Sequence, residues 1–329
     1  MLRRLLTLLV MLALLLGGAA LWWLHRPLDL AAPTVEYSVG PGSTPRSIAQ
    51  GWVQAGVQTS PTLLYEWFRW SGQARRIRAG SYEIRPGVTP RELLTKMVQG
   101  DETLVTLRLI EGWNFRQVRA ELARAEGLQP LSAKMSDAEL MAALDLPGRH
   151  PEGQFFPDTY AYSRGSSDLD VLRRAHRAMQ RNLEQAWATR DETLPLKSPA
   201  EALILASIVE KETGQEGDRA RVAGVFVNRL RLGMPLQTDP TVIYGLGAGF
   251  DGNLRKRDLQ AEDNPYNTYL RRGLPPTPIS IPGKASLRAA VQPERTKALY
   301  FVSRGDGSSV FSETLAEHNR AVNQYQRGR

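Results

Sequence analysis

Behind Arg3 and Arg4, residues 5–24 form an unbroken run of twenty uncharged residues, rich in leucine. At 1.5 Å per residue a helix of that length covers a hydrocarbon core of about 30 Å, so the segment is suited to crossing a bilayer. Trp22 and Trp23 stand at its far end, where a membrane interface holds aromatic rings, and the two arginines favour a cytoplasmic amino end. The alternative is a cleavable signal peptide with Gly18-Ala19-Ala20 as a poor small-residue cleavage site. The apolar run continues past that site through both tryptophans, which favours an uncleaved anchor. In either case the rest of the chain is exported. The expected order is thus residues 1–4 cytoplasmic, 5–24 transmembrane and 25–35 a tether containing Pro27 and Pro33.

With 329 residues the chain has length for two folded units beyond the anchor. Its 42 Lys+Arg against 34 Asp+Glu give a formal charge of +8, spread without a dense basic block. That suits an anionic surrounding such as a membrane surface or an acidic polymer and argues against nucleic acid. The absence of cysteine excludes disulfides, thiol catalysis and Cys-based metal sites. His25, His150, His176 and His318 lack metal-ligand spacing, so no metal or other cofactor is expected.

Strand and helix patterns alternate along the exported part, an α+β class. Residues 35–39 read as a strand. Thr44-Pro45 and Ser60-Pro61 open helices with apolar faces, residues 79–84 a return strand, and Thr89-Pro90 a third helix up to Gly100. A boundary falls at 100–102. Then come a strand over 104–110, a helix over 115–125, and an aromatic loop over 151–160 that either packs on a core or lines a sugar groove. Helices follow over 169–188, 198–214 and 220–232. Beyond Leu232 the pattern is turns and short strands, with amides, hydroxyls and tyrosines over 234–245, 264–269 and 273–279. A hairpin across 298–311 and a helix over 315–325 end the chain.

The helix from Ser198 carries the chemistry. Ser198 at the cap, Pro199 at the first position and Glu201 at the third spell a capping box. One and two turns before Glu212 lie Leu205, Ile208 and Val209, all apolar, whereas Glu210 sits behind Leu203, Ala206 and Ser207. Glu212 therefore has the drier surroundings. Desolvation disfavours its charged form, as a general acid requires. The competing reading is that both glutamates merely end an amphipathic helix at solvent.

Residues 206–213 (Ala-Ser-Ile-Val-Glu-Lys-Glu-Thr), 225–230 (Val-Phe-Val-Asn-Arg-Leu), 236–245, Tyr266-Asn267-Thr268-Tyr269, Gly273-Leu274-Pro275-Pro276 and Phe311…His318-Asn319, behind an amino-terminal anchor, closely resemble the endolytic murein transglycosylases of the YceG-like family. The resemblance covers nearly the whole chain. It implies a small LysM-like subdomain over 36–100 and a catalytic domain of lytic-transglycosylase type over 103–329. The family's catalytic glutamate corresponds to Glu212, and Glu212-Thr213-Gly214 is similar to the Glu-Ser-Gly pattern of other lytic transglycosylases. Glu210 is an auxiliary candidate, while Gln237, Thr238, Asp239, Tyr266, Asn267 and Tyr269 are carried over as substrate-groove candidates. Gln154 departs from the family pattern, which weakens a groove role for its loop.

The activity so implied is a lyase reaction of the bacterial inner membrane, carried out in the periplasm. One carboxyl protonates the bond between N-acetylmuramic acid and N-acetylglucosamine in a peptidoglycan strand, then deprotonates the C6 hydroxyl that closes a 1,6-anhydro ring. Partnership with peptidoglycan synthases, the penicillin-binding proteins, and a terminase role in glycan elongation are further implications. Two rivals stay open: a hydrolytic muramidase in which Asp239 or Glu210 activates water, and a non-catalytic membrane-tethered module that binds glycan and recruits synthases.

Overall fold

The computed structural model describes residues 2–327. Met1, in the segment expected to be cytoplasmic, and residues 328–329, in the expected catalytic domain, lie outside the described residues. The architecture is mixed α and β behind an amino-terminal apolar helix, α1 (Leu2–His25). Residues 3–25 of α1 are long and apolar enough to cross a membrane. The contacts divide the chain into two units. The first comprises residues 1–106, 126–129 and 161–166, and the second 107–125, 130–160 and 167–329.

In the first unit β1 (Asp29–Leu30), β2 (Val35–Val39), α2 (Pro45–Ala55), β3 (Val57–Gln58), α3 (Pro61–Trp70), β4 (Gly80–Ile84) and α4 (Pro90–Gln99) follow α1. β2 and β4 pair antiparallel with Val35 opposite Ile84 and Tyr37 opposite Tyr82. Proline occupies the first turn of α2, α3 and α4, where its missing N–H costs nothing. Thr44 and Thr89 accept hydrogen bonds from Ser47 and Glu92 N–H, and Glu92 completes a capping box on α4. Trp52, Leu64, Phe68, Tyr82, Leu93 and Met97 form the fully buried centre. Trp52 donates its indole N–H to the Met97 sulfur at 3.2 Å. Gly51 lets Tyr37 lie across α2, because a Cβ there would overlap the tyrosine ring.

Residues 25–35 differ from the expected tether, because Leu28 and, in part, Leu30 are built into this core. Leu28 is 6% exposed and its N–H bonds Val88 O at 2.8 Å. β1 pairs with β3, Ala31 N–H reaches Gly56 O at 2.8 Å, and Trp23, still within α1, packs against the same cluster.

β5 (Leu104–Arg108) pairs with β6 (Thr159–Ser163). The second unit contains α5 (Phe115–Arg124), α6 (Asp137–Ala143), α7 (Asp168–Ala188), α8 (Pro199–Glu212), α9 (Glu216–Arg231), α10 (Asp239–Leu246), α11 (Lys256–Leu259), α12 (Lys284–Val291), the antiparallel hairpin β7 (Tyr300–Ser303) and β8 (Ser309–Ser312), and α13 (Leu315–Val322), which runs into a π-turn over Asn323–Arg327. α8 is its axis, in contact with α7, α9, α10 and α12. Ala202, Leu203, Leu205, Ala206, Ser207, Ile208 and Val209 are all buried, so α8 is covered on every side rather than amphipathic. Ser198 caps it through Glu201 N–H, but the Glu201 carboxylate accepts from Lys197 N–H instead of closing the capping box.

The stretch beyond Leu232 is more helical than expected. α10 takes the β-branched run Thr241-Val242-Ile243 because Pro240 fits a first helical turn and the helix packs on α8. The 151–160 loop packs into the core: Phe155 is fully buried, stacks on Phe115 at 5.3 Å and lies edge-on to His176.

Burial of Leu28 makes a direct prediction. A soluble fragment starting at Pro33 should be less stable than one starting at Arg26 by about 2–3 kcal/mol, the worth of one buried leucine. Thermal denaturation of the two fragments would measure it, and equal melting temperatures would refute this role for Leu28.

Candidate active site

Glu212 is the last residue of α8, where the chain leaves the helix through a Thr213 hydroxyl that accepts from Gln215 N–H. Its side chain is half-buried, behind the fully buried Leu205, Ile208 and Val209. It borders a cavity of about 490 Å³ in the second unit. Burial pushes its carboxyl up to about 7, and Asp239 adds to this. The Thr238 hydroxyl and the positive charge of Arg229 act the other way without overcoming it. At neutral pH the group is thus poised between acid and base.

The Thr238 hydroxyl donates to Glu212 Oε1 and is itself fixed by a threonine network. Thr238 N–H donates to Thr268 Oγ1 at 3.1 Å, and the Thr241 hydroxyl donates to Thr238 O at 2.7 Å. Gln237 has a left-handed backbone (φ 51°), unusual for a residue with a side chain. It is held there by its N–H on Thr268 O at 3.0 Å and by Arg229 Nη1, which donates to its Oε1 at 3.3 Å. Asp239 opens α10, and Tyr269 donates its hydroxyl to Asp239 Oδ1 at 2.6 Å.

Of the residues expected from sequence, Glu212, Gln237, Asp239 and Tyr269 thus border one cavity, with Thr238 on the carboxyl. Tyr266 and Asn267 stand elsewhere. Asn267 is fully buried, donates to Leu259 O and Ala261 O, and accepts from Tyr269 N–H, so it orients the neighbouring tyrosine. The Tyr266 hydroxyl pairs with Thr277 at 2.9 Å and its ring packs on Tyr244. Glu210 projects away from the cavity. Its Oε2 accepts from Gly283 N–H at 2.9 Å beside Glu111, whose carboxyl is raised by burial and then by Glu210 itself. With the Ser207 hydroxyl accepting from Ile279 N–H at 3.0 Å, this side of α8 is fastened to the 279–283 segment.

Among the cavity residues not named as site candidates from sequence are Arg229, Tyr300 and His318, which come together only through the fold. Arg229 is 7% exposed and donates to Leu299 O and Leu236 O at 2.7 and 2.8 Å, which ties the hairpin to the 235–237 turn. A second carboxyl outside the cavity is also raised to about 7. Glu152, almost fully buried, accepts from Phe115 N–H at 3.0 Å and bonds the Tyr244 hydroxyl, so it braces the far end of α10. Among the described residues no cluster of His, Cys, Asp and Glu could hold a metal ion.

For Glu152 the folded value lies above the usual carboxyl value of 4.5. The folded state therefore binds the extra proton, and this stabilisation is complete below about 4.5 and lost as pH rises through about 7. Glu152→Gln keeps an acceptor for Phe115 and should flatten that part of the stability profile, by roughly 3 kcal/mol at most. Urea unfolding from pH 4 to pH 8 would test it, and an unchanged pH dependence would contradict this account of Glu152.

Comparison with known proteins extends these observations. The chain is 31% identical to a Bacillus subtilis (strain 168) protein named endolytic murein transglycosylase, over 95% of this chain and 91% of that one. A protein of the same name from Streptococcus pneumoniae serotype 2 (strain D39) is 26% identical over 95% of this chain, which spans 63% of that longer protein. A crystal structure described as a YceG-like protein from Listeria monocytogenes aligns with a TM-score of 0.55 and 28% identity, covering 88% of this chain and 98% of that one. The sequence model of the same family matches residues 37–324, which takes in every residue of the Glu212 cavity except Gln326. On this match and the full-length likeness to the Bacillus protein, the chain belongs to the YceG-like family.

Proposed function

We propose that the chain is an endolytic murein transglycosylase, a lyase that cuts peptidoglycan glycan strands internally, with Glu212 as its single acid and base. The observation that carries this is a carboxyl raised to about 7, hydrogen-bonded by Thr238 and open to a cavity large enough for sugar rings. Glu212 gives its proton to the glycosidic oxygen between N-acetylmuramic acid and N-acetylglucosamine, and the bond from that oxygen to the anomeric carbon breaks. The acetamido oxygen of the muramic residue stabilises the positive charge left there. The ionised Glu212, steadied by the Thr238 hydroxyl and the charge of Arg229, then takes the proton of the C6 hydroxyl. That oxygen bonds to the anomeric carbon, closing a 1,6-anhydro ring. No water is consumed, and Glu212 ends protonated as it began.

Gln237, Asp239 and Tyr269 border the same cavity and are proposed to contact the sugar, while Tyr266 and Asn267 support the loop behind them. Glu210 is proposed to position the end of α8. Residues 36–100 are proposed as a LysM-like glycan-binding unit and 103–329 as the catalytic domain. α1 is proposed as a single-pass anchor in the inner membrane, with the rest in the periplasm, where the enzyme would meet nascent strands and their synthases and act as a terminase.

A hydrolytic muramidase is the second reading, because Asp239 shares the cavity and could act on water. Its Oδ1 already accepts from Tyr269 at 2.6 Å, which favours a structural or binding part for Asp239. Mass spectrometry of digested sacculi separates the two, since an anhydro end is lighter than a reducing end by one water.

Glu212→Gln should abolish release of anhydro-ended fragments from purified sacculi, a loss of at least about a thousandfold, while the fold is retained. Undiminished release would overturn the assignment. The acid must start protonated, so kcat/KM should fall as pH rises through about 7. Thr238→Val removes a hydrogen bond that favours ionised Glu212 and should move that alkaline limb upward by about one pH unit. A pH–rate profile of both proteins reads the difference.

A further inference from the structure

α3 buries Leu64 and Phe68 in the core of the first unit and carries Leu63, Trp67 and Trp70 on an adjoining stripe, at the i, i+4 and i+7 spacing of one helix face. Leu63 is 50% exposed and Trp70 78%, with Trp67 half-buried between them. Large apolar side chains gathered on one face, rather than scattered, mark a surface that something covers. The face has little to offer but carbon. Trp67 donates its indole N–H to Pro90 O and Trp70 donates to Glu66 Oε2, each at 3.1 Å, so both donors are matched within the protein and the rings can leave water without stranding one. Glu66 and Arg69, the only charged residues of α3, pair at 3.4 Å and leave the helix without net charge.

Position narrows what the cover is. Leu28, three residues beyond α1, donates its N–H to Val88 O at 2.8 Å, and two residues after Val88, Pro90 O accepts the Trp67 bond. Two residues span at most about 7 Å, so the Trp67 indole nitrogen lies within about 13 Å of the Leu28 backbone. Trp23, still within α1, packs on the same core cluster as Trp67. The stripe therefore stands beside the point where the apolar helix joins the unit. A sugar strand asks for convergent hydrogen-bonding groups, which this stripe lacks, whereas a bilayer interface takes up indole rings and leucine. We propose that Leu63, Trp67 and Trp70 form a second, non-spanning membrane contact, seated at the headgroup–acyl boundary of the bilayer that α1 crosses. This rests on α1 being the anchor.

The test uses the full chain in nanodiscs of phosphatidylcholine, ordinary or brominated on its acyl chains, since bromine quenches indole emission on contact. Trp70→Phe leaves an aromatic ring in place, and the emission lost with it is that of Trp70. That share should fall by at least about half in brominated lipid if the ring sits at the interface. Leu63→Glu sets a charge on the stripe and should restore most of it. Trp70 and Leu63 are both exposed, so neither substitution disturbs the core. Trp22→Phe isolates the α1 tryptophan in the same way. If Trp22 emission is unquenched, the reading of α1 as an anchor falls, and this proposal with it. Quenched Trp22 with unquenched Trp70 removes this proposal alone, and a Trp70 signal that moves instead on adding glycan strands would assign the face to sugar. Quenching of Trp70 undiminished by Leu63→Glu would overturn the stripe as the docking surface.

Discussion

A helix buried on every side must end somewhere, and α8 ends on a carboxyl. From Ala202 to Val209 it has almost no polar surface, and four helices enclose it. The packing that stabilises the second unit therefore also withholds water from Glu212, and burial is the largest cause of its raised pKa. Stability and acidity here share one origin. The opposing contributions of Thr238 and Arg229 keep the carboxyl near neutrality, where proton donation and recovery are both accessible.

The two glutamates of the Glu210-Lys211-Glu212 triplet leave α8 in different directions, and the helix end is held between them. On one side Ser207 and Glu210 bind backbone N–H groups of the 279–283 segment. On the other, Glu212 meets Thr238, whose threonine network and strained neighbour Gln237 leave it little freedom. An acid proposed to give one proton and then take another within the same site benefits from such a mounting, since small displacements of reacting groups are costly in rate.

Much of this was legible in the sequence where local rules govern. Pro45, Pro61, Pro90 and Pro199 each mark a helix start that the structure contains, and the spacing of Leu205, Ile208 and Val209 before Glu212 foretold its dry surroundings. Illegible were features that depend on distant segments. α10 was hidden because β-branched residues suggest strands, and only packing against α8 decides otherwise. Tyr266 and Asn267 look like sugar-reading side chains in a list of residues, and their bonds to Thr277, Leu259 and Ala261, outside the residues that border the Glu212 cavity, appear only in the fold. Arg229, Tyr300 and His318 are far apart in the chain and meet only when β7 and α13 fold against α9.

The junction at the amino end has a mechanical consequence. Trp23 lies against the first unit's core while still within α1, and Leu28 is buried in that core three residues after α1 ends. Only residues 26 and 27 separate the end of the helix from that buried leucine, so the helix end and the first unit's core are joined by a short connection. If the apolar helix sits in a bilayer, as proposed, a tilt imposed by a change in lipid thickness would be felt by that unit, and the surrounding lipid would become a mechanical input to it.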